Sequence, residues 1–176
     1  MRACTILLIA MTAYLASASV YAQPAPTTIW QEYRPADSSF RIEMPSTPNV
    51  GTQDVKSRPG RKMHYAVVRF GKGSLLVTYS KIAGDRLAAP ADKTLDEALA
   101  TEVKAMKAKV LTEQRETVGN FPARRVAYDP HNGLIMTKRY VLVKSRIYQI
   151  AAVGPPGFGA TPEATRFLNS FAVTAP

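Results

Sequence analysis

The chain has 176 residues, 46% of them hydrophobic, and its 23 Lys and Arg outnumber its 13 Asp and Glu to give a formal net charge of +10. The single cysteine, Cys4, excludes a disulfide framework. The positive charge favours an acidic envelope protein, anionic lipid or cell-wall polyanion as partner, but scattered basic residues are more typical of a solvated surface.

The first 22 residues have the order of a secretory signal peptide. Arg2 precedes an apolar stretch from Ile6 to Leu15, and small residues lead to Ala22, after which we expect cleavage. No other segment reaches the roughly 18 to 20 consecutive apolar residues of a membrane span. We therefore expect a periplasmic or secreted protein, with a Pro-rich leader over residues 23–28 and a single domain over residues 29–176.

Alternation of apolar and polar residues predicts strands in the first half of the chain, because every second side chain of a strand lies on one face. The segments are TIWQEYRP, SFRIEMP, RKMHYAVVRF and SLLVTYSKI. Gly71-Lys72-Gly73 joins the last two as a predicted hairpin, since glycine reaches positive φ without steric cost.

From Thr94 the apolar period lengthens to three or four residues, which predicts a helix. Thr94 and Glu97 fit a capping box, in which each side chain accepts a hydrogen bond from a backbone N–H at the helix start. Lys104 and Lys107 share the outer face, where they are candidate contacts for an acidic partner or an anionic membrane, although such lysines are more often solvated. The apolar stripe comprises Leu95, Leu99, Val103, Met106 and Val110.

Four further strands and a second helix are predicted in the rest of the chain. The strands are KVLTEQRETV, ARRVAYDP, LIMTKRYVLV and RIYQIAAV. Thr161 is the expected cap of the last helix, Pro162 suits its first position, and its apolar face comprises Ala164, Phe167, Leu168 and Phe171. Strands, helix, strands and helix indicate the α+β class, an antiparallel β-sheet flanked by segregated helices.

The segment VGPPGFGATPEATRF places three glycines before a helix, as a phosphate-binding loop does. The segment lacks that chemistry, because prolines have no N–H to donate and no Lys-Ser or Lys-Thr pair follows Gly159. We interpret it as a loop that closes one end of the sheet, with Gly157 and Phe158 as candidate partner contacts.

Catalytic and metal-binding patterns are sparse. Asp129 and His131 form the one pair that suggests a hydrolase, with Asp129 orienting the histidine for an approaching nucleophile. The sequence YDPHNG is also ordinary turn chemistry, and no nucleophile motif accompanies it. With two histidines and no cysteine beyond the signal, we expect no metal and no cofactor.

The densest basic and aromatic region is LIMTKRYVLVKSRIYQI. Its Lys138, Arg139 and Arg146 are further candidate partner contacts. An aromatic strand face can stack nucleic-acid bases, but the export signal and the lack of an RNA-binding motif argue against a nucleic-acid partner.

Large apolar residues at strand or helix spacing supply the predicted core, and their packing accounts for the aromatic content without a cofactor pocket. They are Trp30, Phe40, Ile42, Tyr65, Val67, Leu76, Leu99, Val103, Met106, Tyr140, Leu142, Ile147, Ile150, Phe167, Leu168 and Phe171.

Both ends of the mature chain resemble one family. The opening residues Trp30, Tyr33, Phe40, Met44-Pro45 and Pro48, and the closing segments RIYQI and FLNSF, are similar to those of small secreted bacterial proteins in the PsbP-like, Mog-type superfamily. The resemblance implies an α/β/α sandwich and a non-enzymatic binding or assembly module, and it carries over no catalytic residue. A basic protein that binds anionic lipid or cell-wall polyanion, and a small hydrolase using Asp129 and His131, are the alternatives.

Overall fold

A computed structural model of the protein describes residues 28–55, 60–82 and 89–174. The predicted signal peptide and all of the leader except Thr28 lie outside the described residues. The elements are β1 (Gln31–Tyr33), β2 (Phe40–Met44), β3 (Asn49–Asp54), β4 (Lys62–Phe70), β5 (Gly73–Lys81), α1 (Ala91–Met106), β6 (Lys109–Val118), β7 (Phe121–Asp129), β8 (Ile135–Val143), β9 (Arg146–Gly154), a short 3-10 helix (Phe158–Ala160), α2 (Pro162–Ser170) and β10 (Ala172–Val173).

Seven strands form one antiparallel sheet in the order β3-β4-β5-β9-β8-β7-β6. Hairpin turns join β4 to β5, β6 to β7 and β8 to β9, each through a residue with positive φ, namely Gly71 (54°), Gly119 (58°) and Lys144 (51°). After β5 the chain forms α1 and then enters the sheet at its opposite edge with β6. Strands β7, β8 and β9 follow inwards from that edge, and β9 pairs with β5. The last long strand therefore lies at the centre of the sheet.

Each face of the large sheet is covered by a helix. On one face, called the α2 face, α2 and a small sheet of β1, β2 and β10 share a layer, and a cluster that includes Phe40, Phe167 and Phe171 packs on Val77 and Ile150. On the other, the α1 face, a second cluster brings together Leu95, Leu99, Val126, Tyr128, Tyr140 and Leu142. Full burial of each such side chain contributes about 1.5 to 3 kcal/mol. The predicted α+β class with an antiparallel sheet is confirmed.

Charged residues fasten α1 to the sheet as well. At its first turn, the buried guanidinium of Arg124 donates to Asp92 (2.7 Å) and Asp96 (2.9 Å). Near its last turn, the carboxylate of Glu102 accepts from Lys138, Tyr128 and Tyr140. Burial by itself raises the pKa of Glu102, but the ammonium of Lys138 and the donated hydrogen bonds outweigh it and hold the pKa below its ordinary value.

The predicted limits of the first helix are wrong. Helix α1 begins at Ala91, so Thr94 lies inside it, buried, with its hydroxyl donating to the carbonyl of Pro90 instead of capping the helix start. The helix ends where Lys107 adopts left-handed φ (50°), and Val110 therefore belongs to β6. The apolar period runs on past this point, but Met106 and Val110 are each 39% exposed.

The core of β4 and β5 lies on the opposite face from the one predicted. Val67 and Leu76 are only half-buried, whereas Ala66, Val68, Leu75 and Val77 are buried on the α2 face. The sequence did not distinguish the two faces, because both faces of these strands are apolar. Helix α1 packs on β7 and β8, so the α1 face of β4 and β5 stays partly open. Strand β3 was not predicted, because NVGTQD has no apolar alternation.

Helix α2 follows its prediction closely. Thr161 Oγ1 accepts from the N–H of Ala164 (3.3 Å), Pro162 occupies the first turn, and the apolar face comprising Ala164, Phe167, Leu168 and Phe171 is buried. The glycine loop before it does close an end of the sheet. The ring of Phe158 packs so closely on Gly73 and Gly154 that a Cβ atom at either glycine would lie within 2.6 Å of it.

Candidate functional site

Three aromatic side chains stand side by side on the α2 face of the sheet. His64 of β4 pairs with Tyr79 of β5, and Tyr79 pairs with Tyr148 of β9. The rings of His64 and Tyr79 stack with centroids 4.8 Å apart, and those of Tyr79 and Tyr148 lie 5.7 Å apart. Neighbouring strands are about 4.8 Å apart, which brings rings on directly paired residues into stacking distance. We call these three residues the aromatic row.

Three cations form a second row on the same strands, two residues from the aromatic row. We call Lys62, Lys81 and Arg146 the basic row. Lys81 lies directly opposite Arg146, and Lys62 occupies the same level on β4. Lys62 Nζ pairs with Asp54 at 2.8 Å, and Arg146 Nη1 pairs with Asp37 at 2.7 Å. Within the described part of the chain, the ammonium of Lys81 has no carboxylate partner.

The loop between β1 and β2 forms the wall beside these rows through Asp37. This carboxylate accepts from Arg146 and from the N–H of Ser39 (3.2 Å). Partial burial by itself raises the pKa of Asp37, but the hydrogen bonds from Ser39 and Arg146 outweigh it and hold the pKa below its ordinary value. The guanidinium of Arg146 also lies 5.5 Å from the ring of Tyr79, within the range of a cation–π interaction.

Together these groups line an open pocket of about 730 Å³, here called the Arg146 pocket. His64 and Tyr79 contribute its aromatic surface. Among the described residues, its charged lining comprises Arg61, the three cations of the basic row and the carboxylate of Asp37. Pockets of about 300 to 1,000 Å³ with apolar walls and a few fixed polar groups are typical of small-ligand sites. Burial and the charge of Asp37 raise the pKa of the Tyr79 phenol to about 12, so it stays neutral at physiological pH.

A smaller cleft of about 280 Å³ lies between α1 and strands β4, β5 and β9. Glu102 and Gln149 line it, but both are already engaged with Lys138. Because their polar atoms hold α1 against the sheet, this cleft is a weaker candidate than the Arg146 pocket.

The structure separates the basic residues that the sequence grouped as partner contacts. Lys138 is buried on the α1 face, where its ammonium contacts Glu102 and Gln149. Arg139 is buried on the α2 face and donates to Glu116 (2.6 Å) and to the carbonyl of Leu168 (2.8 Å). These two side chains fasten the helices to the sheet, whereas Arg146 lines the pocket.

The other candidate contacts lie apart from the pocket. Lys104 and Lys107 are exposed at the end of α1. Gly157 has a φ of 87°, which lets the loop turn so that Phe158 is buried on the sheet.

The pair formed by Asp129 and His131 lies on an exposed turn. Asp129 Oδ1 accepts from the backbone N–H of His131 (2.7 Å), while the imidazole Nδ1 is 3.8 Å from Oδ2. His131 has a left-handed φ of 58°, and Asn132 accepts from the N–H of Leu134. These contacts are those of a turn built by Asp and Asn side chains. Throughout residues 28–55, 60–82 and 89–174, no group of three or more His, Cys, Asp or Glu is placed to hold a metal ion.

The site residues that were not predicted from the sequence are His64, Tyr79, Lys62 and Lys81. One signal was available, because His64 and Tyr79 are equidistant from the Gly71-Lys72 turn, as are Lys62 and Lys81. A hairpin centred on that turn must pair them. No such symmetry identifies Tyr148 and Arg146 of β9 as neighbours of β5, because α1 and three strands separate β5 from β9 in the sequence.

No protein-family model and no curated protein matches the sequence. Solved structures that are similar to it include the following three. Cyanobacterial PsbP (CyanoP) from Synechocystis sp. PCC 6803 shares 13% identity over 87% of this chain and 97% of its own, with a TM-score of 0.56. The Ran-binding protein Mog1p of Saccharomyces cerevisiae shares 10% identity over 84% of this chain and 96% of its own, with a TM-score of 0.49. A Pseudomonas aeruginosa protein of unknown function, a putative regulator, shares 11% identity over 77% of this chain and 90% of its own, with a TM-score of 0.45.

The likeness to the cyanobacterial protein confirms the predicted PsbP-like fold. Identities this low bear on the fold alone, because one fold hosts many functions. None of the helices in the described part of the chain is long and apolar enough to cross a membrane.

Proposed function

We propose that this chain of PsbP-like fold is a non-catalytic binding module that acts in the periplasm or outside the cell and binds its ligand or partner in the Arg146 pocket. The observation that carries the proposal is the aromatic row beside the basic row, both fixed on adjacent strands of a rigid sheet. The export pattern from Arg2 to Ala22 supports the location.

Two titrating groups of the pocket, Tyr79 and Asp37, suit binding better than proton transfer. A general acid or base works best when its pKa lies near the operating pH. The pKa of Tyr79 is raised to about 12, and that of Asp37 is held below its ordinary value, so both are displaced away from neutrality. The protonation states of these two groups are therefore fixed at pH 7, and they offer a ligand one constant negative charge and one neutral ring surface.

The test is affinity capture from the native envelope fraction with the mature chain tagged at its C-terminus. Three forms are compared: the wild type, Lys81→Glu in the pocket, and Lys72→Glu on the exposed β4–β5 turn as a matched charge control. Bound protein is identified by mass spectrometry, and small molecules by native mass spectrometry of the eluted complex. We expect a stoichiometric partner or ligand that the wild type and Lys72→Glu retain and Lys81→Glu loses.

Equal capture by all three forms would place the binding site elsewhere and contradict the use of the pocket. A turnover activity of the purified protein that disappears in His131→Ala, with the fold intact, would contradict the non-catalytic proposal and favour the Asp129–His131 hydrolase.

A second candidate function is adhesion to an anionic surface, and one corner of the molecule favours it. The exposed apolar residues Met106, Val110 and Leu111 alternate with Lys107 and Lys109 where α1 ends and β6 begins. Apolar groups flanked by lysines suit the boundary of an anionic lipid layer. Sedimentation with vesicles of 30% phosphatidylglycerol, abolished by 0.5 M salt and by Lys104→Gln with Lys107→Gln but not by Lys81→Glu, would establish this function in place of the first.

A further inference from the structure

We infer that the Arg146 pocket recognises a planar apolar ligand that carries one anionic group, a carboxylate or a phosphate. This inference rests on the proposed function and names the ligand class of the same site. Its two requirements, a flat apolar body and one anionic group, come from the two rows separately.

The requirement for a flat body follows from how the aromatic row is already packed. Phe40 lies across Tyr79 and Tyr148 with ring centroids 5.6 Å from each and interplanar angles of 74° and 75°. The ring of Phe40 thus contacts Tyr79 and Tyr148 edge to face, a favoured geometry for aromatic pairs. Tyr148 is not part of the pocket lining, whereas His64 and Tyr79 are. A planar ligand ring across His64 and Tyr79 would make the same kind of contact that Phe40 makes with Tyr79 and Tyr148.

The requirement for a negative charge follows from the basic row. Like charges directly opposite each other on neighbouring strands are destabilising, and Lys81 faces Arg146 in this way. Arg146 has the carboxylate of Asp37 beside it, and Lys62 that of Asp54. Among the described residues Lys81 has no such partner, and an anionic group next to the aromatic row would supply one.

The number of charges is limited by Asp37. Its carboxylate lines the same pocket and repels a ligand with anionic groups at both ends. One anionic group at the rim and an apolar body over His64 and Tyr79 fit the observed distribution of charge.

The experiment is calorimetric titration of the mature chain at low ionic strength with 2-naphthoate, 2-naphthyl phosphate and the neutral 2-naphthamide. We expect at least one anion to bind at least tenfold more tightly than the amide. Lys81→Met, which keeps the length of the side chain, should weaken the binding of that anion about five- to tenfold and leave the amide unchanged. Lys72→Met, the matched control outside the pocket, should bind as the wild type does.

Preference for the phosphate would identify a phosphate ester, and preference for the carboxylate a carboxylic acid, and either result supports the inference. Equal binding of amide and anions, full affinity in Lys81→Met, or no binding of any probe would overturn it. If no probe binds while the envelope capture still depends on Lys81, the ligand class is wrong and the proposed function stands. Thermal unfolding of each variant shows whether a loss of binding reflects a loss of fold.

Discussion

Lys81 of β5 lies directly opposite Arg146 of β9, so two cations share one face of the sheet at the rim of the Arg146 pocket. Opposed like charges weaken a sheet, and the carboxylate of Asp37 lies on only one side of the pair, at Arg146. This arrangement costs some stability, as functional sites often do, and it is the feature on which the proposed anion site rests.

Lys81→Met should make the protein more stable, by about 0.2 to 1 kcal/mol, because it removes the repulsion from Arg146. Urea unfolding at low ionic strength measures this gain, and 0.5 M salt should reduce it by screening. Lys72→Met on the exposed turn should leave the free energy of unfolding unchanged. A loss of stability in Lys81→Met would show that Lys81 makes a favourable contact in the free protein.

Lys138→Met should destabilise the protein by about 3 kcal/mol, since removing one partner of a buried ion pair leaves the other charge uncompensated. Lys138 is buried against Glu102, Tyr128 and Tyr140. The double substitution Lys138→Met with Glu102→Gln should recover part of the loss, because the neutral side chain removes the uncompensated charge and its amide oxygen can still accept from Tyr128 or Tyr140. Strictly additive losses in a double-mutant cycle of urea midpoints would contradict a direct coupling.

The attachment of α1 should weaken in acid. The pKa of Glu102 is lowered in the folded protein, so its contribution is fully present above the ordinary value of 4.5 and is lost as the pH falls through the lower folded value. Hydrogen exchange of the α1 amides, measured at pH 7, 5 and 3, should show loss of protection relative to β8 only at the lowest pH. Glu102→Gln should show less change between pH 5 and pH 3, and an identical profile in this variant would exclude Glu102 as the cause.

Gly154→Ala should destabilise the protein by about 1 to 3 kcal/mol through overpacking. A Cβ atom at this position would lie 2.5 Å from the ring of Phe158. Phe158→Ala alone should cost about 3 kcal/mol, as the loss of a large buried side chain does. In the Phe158→Ala background the added cost of Gly154→Ala should fall but not vanish, because the Cβ atom that alanine retains at position 158 would still lie 2.7 Å from the new Cβ. An undiminished cost in thermal unfolding would place the clash elsewhere.

The sequence was sufficient for those parts of the fold that local patterns determine. Strand β4 was predicted from RKMHYAVVRF, which exceeds its observed range Lys62–Phe70 by one residue, and α2 was predicted with its cap at Thr161. The start of α1 was misplaced because Thr94 and Glu97 imitate a capping box, while the true start at Ala91 has no side-chain cap. Local resemblance to a motif does not determine which turn begins the helix.

The site was less predictable than the fold, because it depends on pairing between distant segments. Arg146 was recognised as a candidate from its basic and aromatic neighbours in sequence, but those neighbours Lys138 and Arg139 point to opposite faces and are buried. The partners that do surround Arg146 are Lys81, one strand away, and Asp37, more than a hundred residues earlier. Only the sheet order brings these three together.

An NMR titration of the 15N-labelled mature chain with the tightest-binding naphthyl anion shows whether the Arg146 pocket is the binding site. We expect the largest amide shifts at His64, Tyr79, Lys81 and Arg146, and we expect them to disappear in Lys81→Glu. Shifts confined to the end of α1 around Lys104 and Lys107, or shifts that persist unchanged in Lys81→Glu, would contradict binding in the Arg146 pocket.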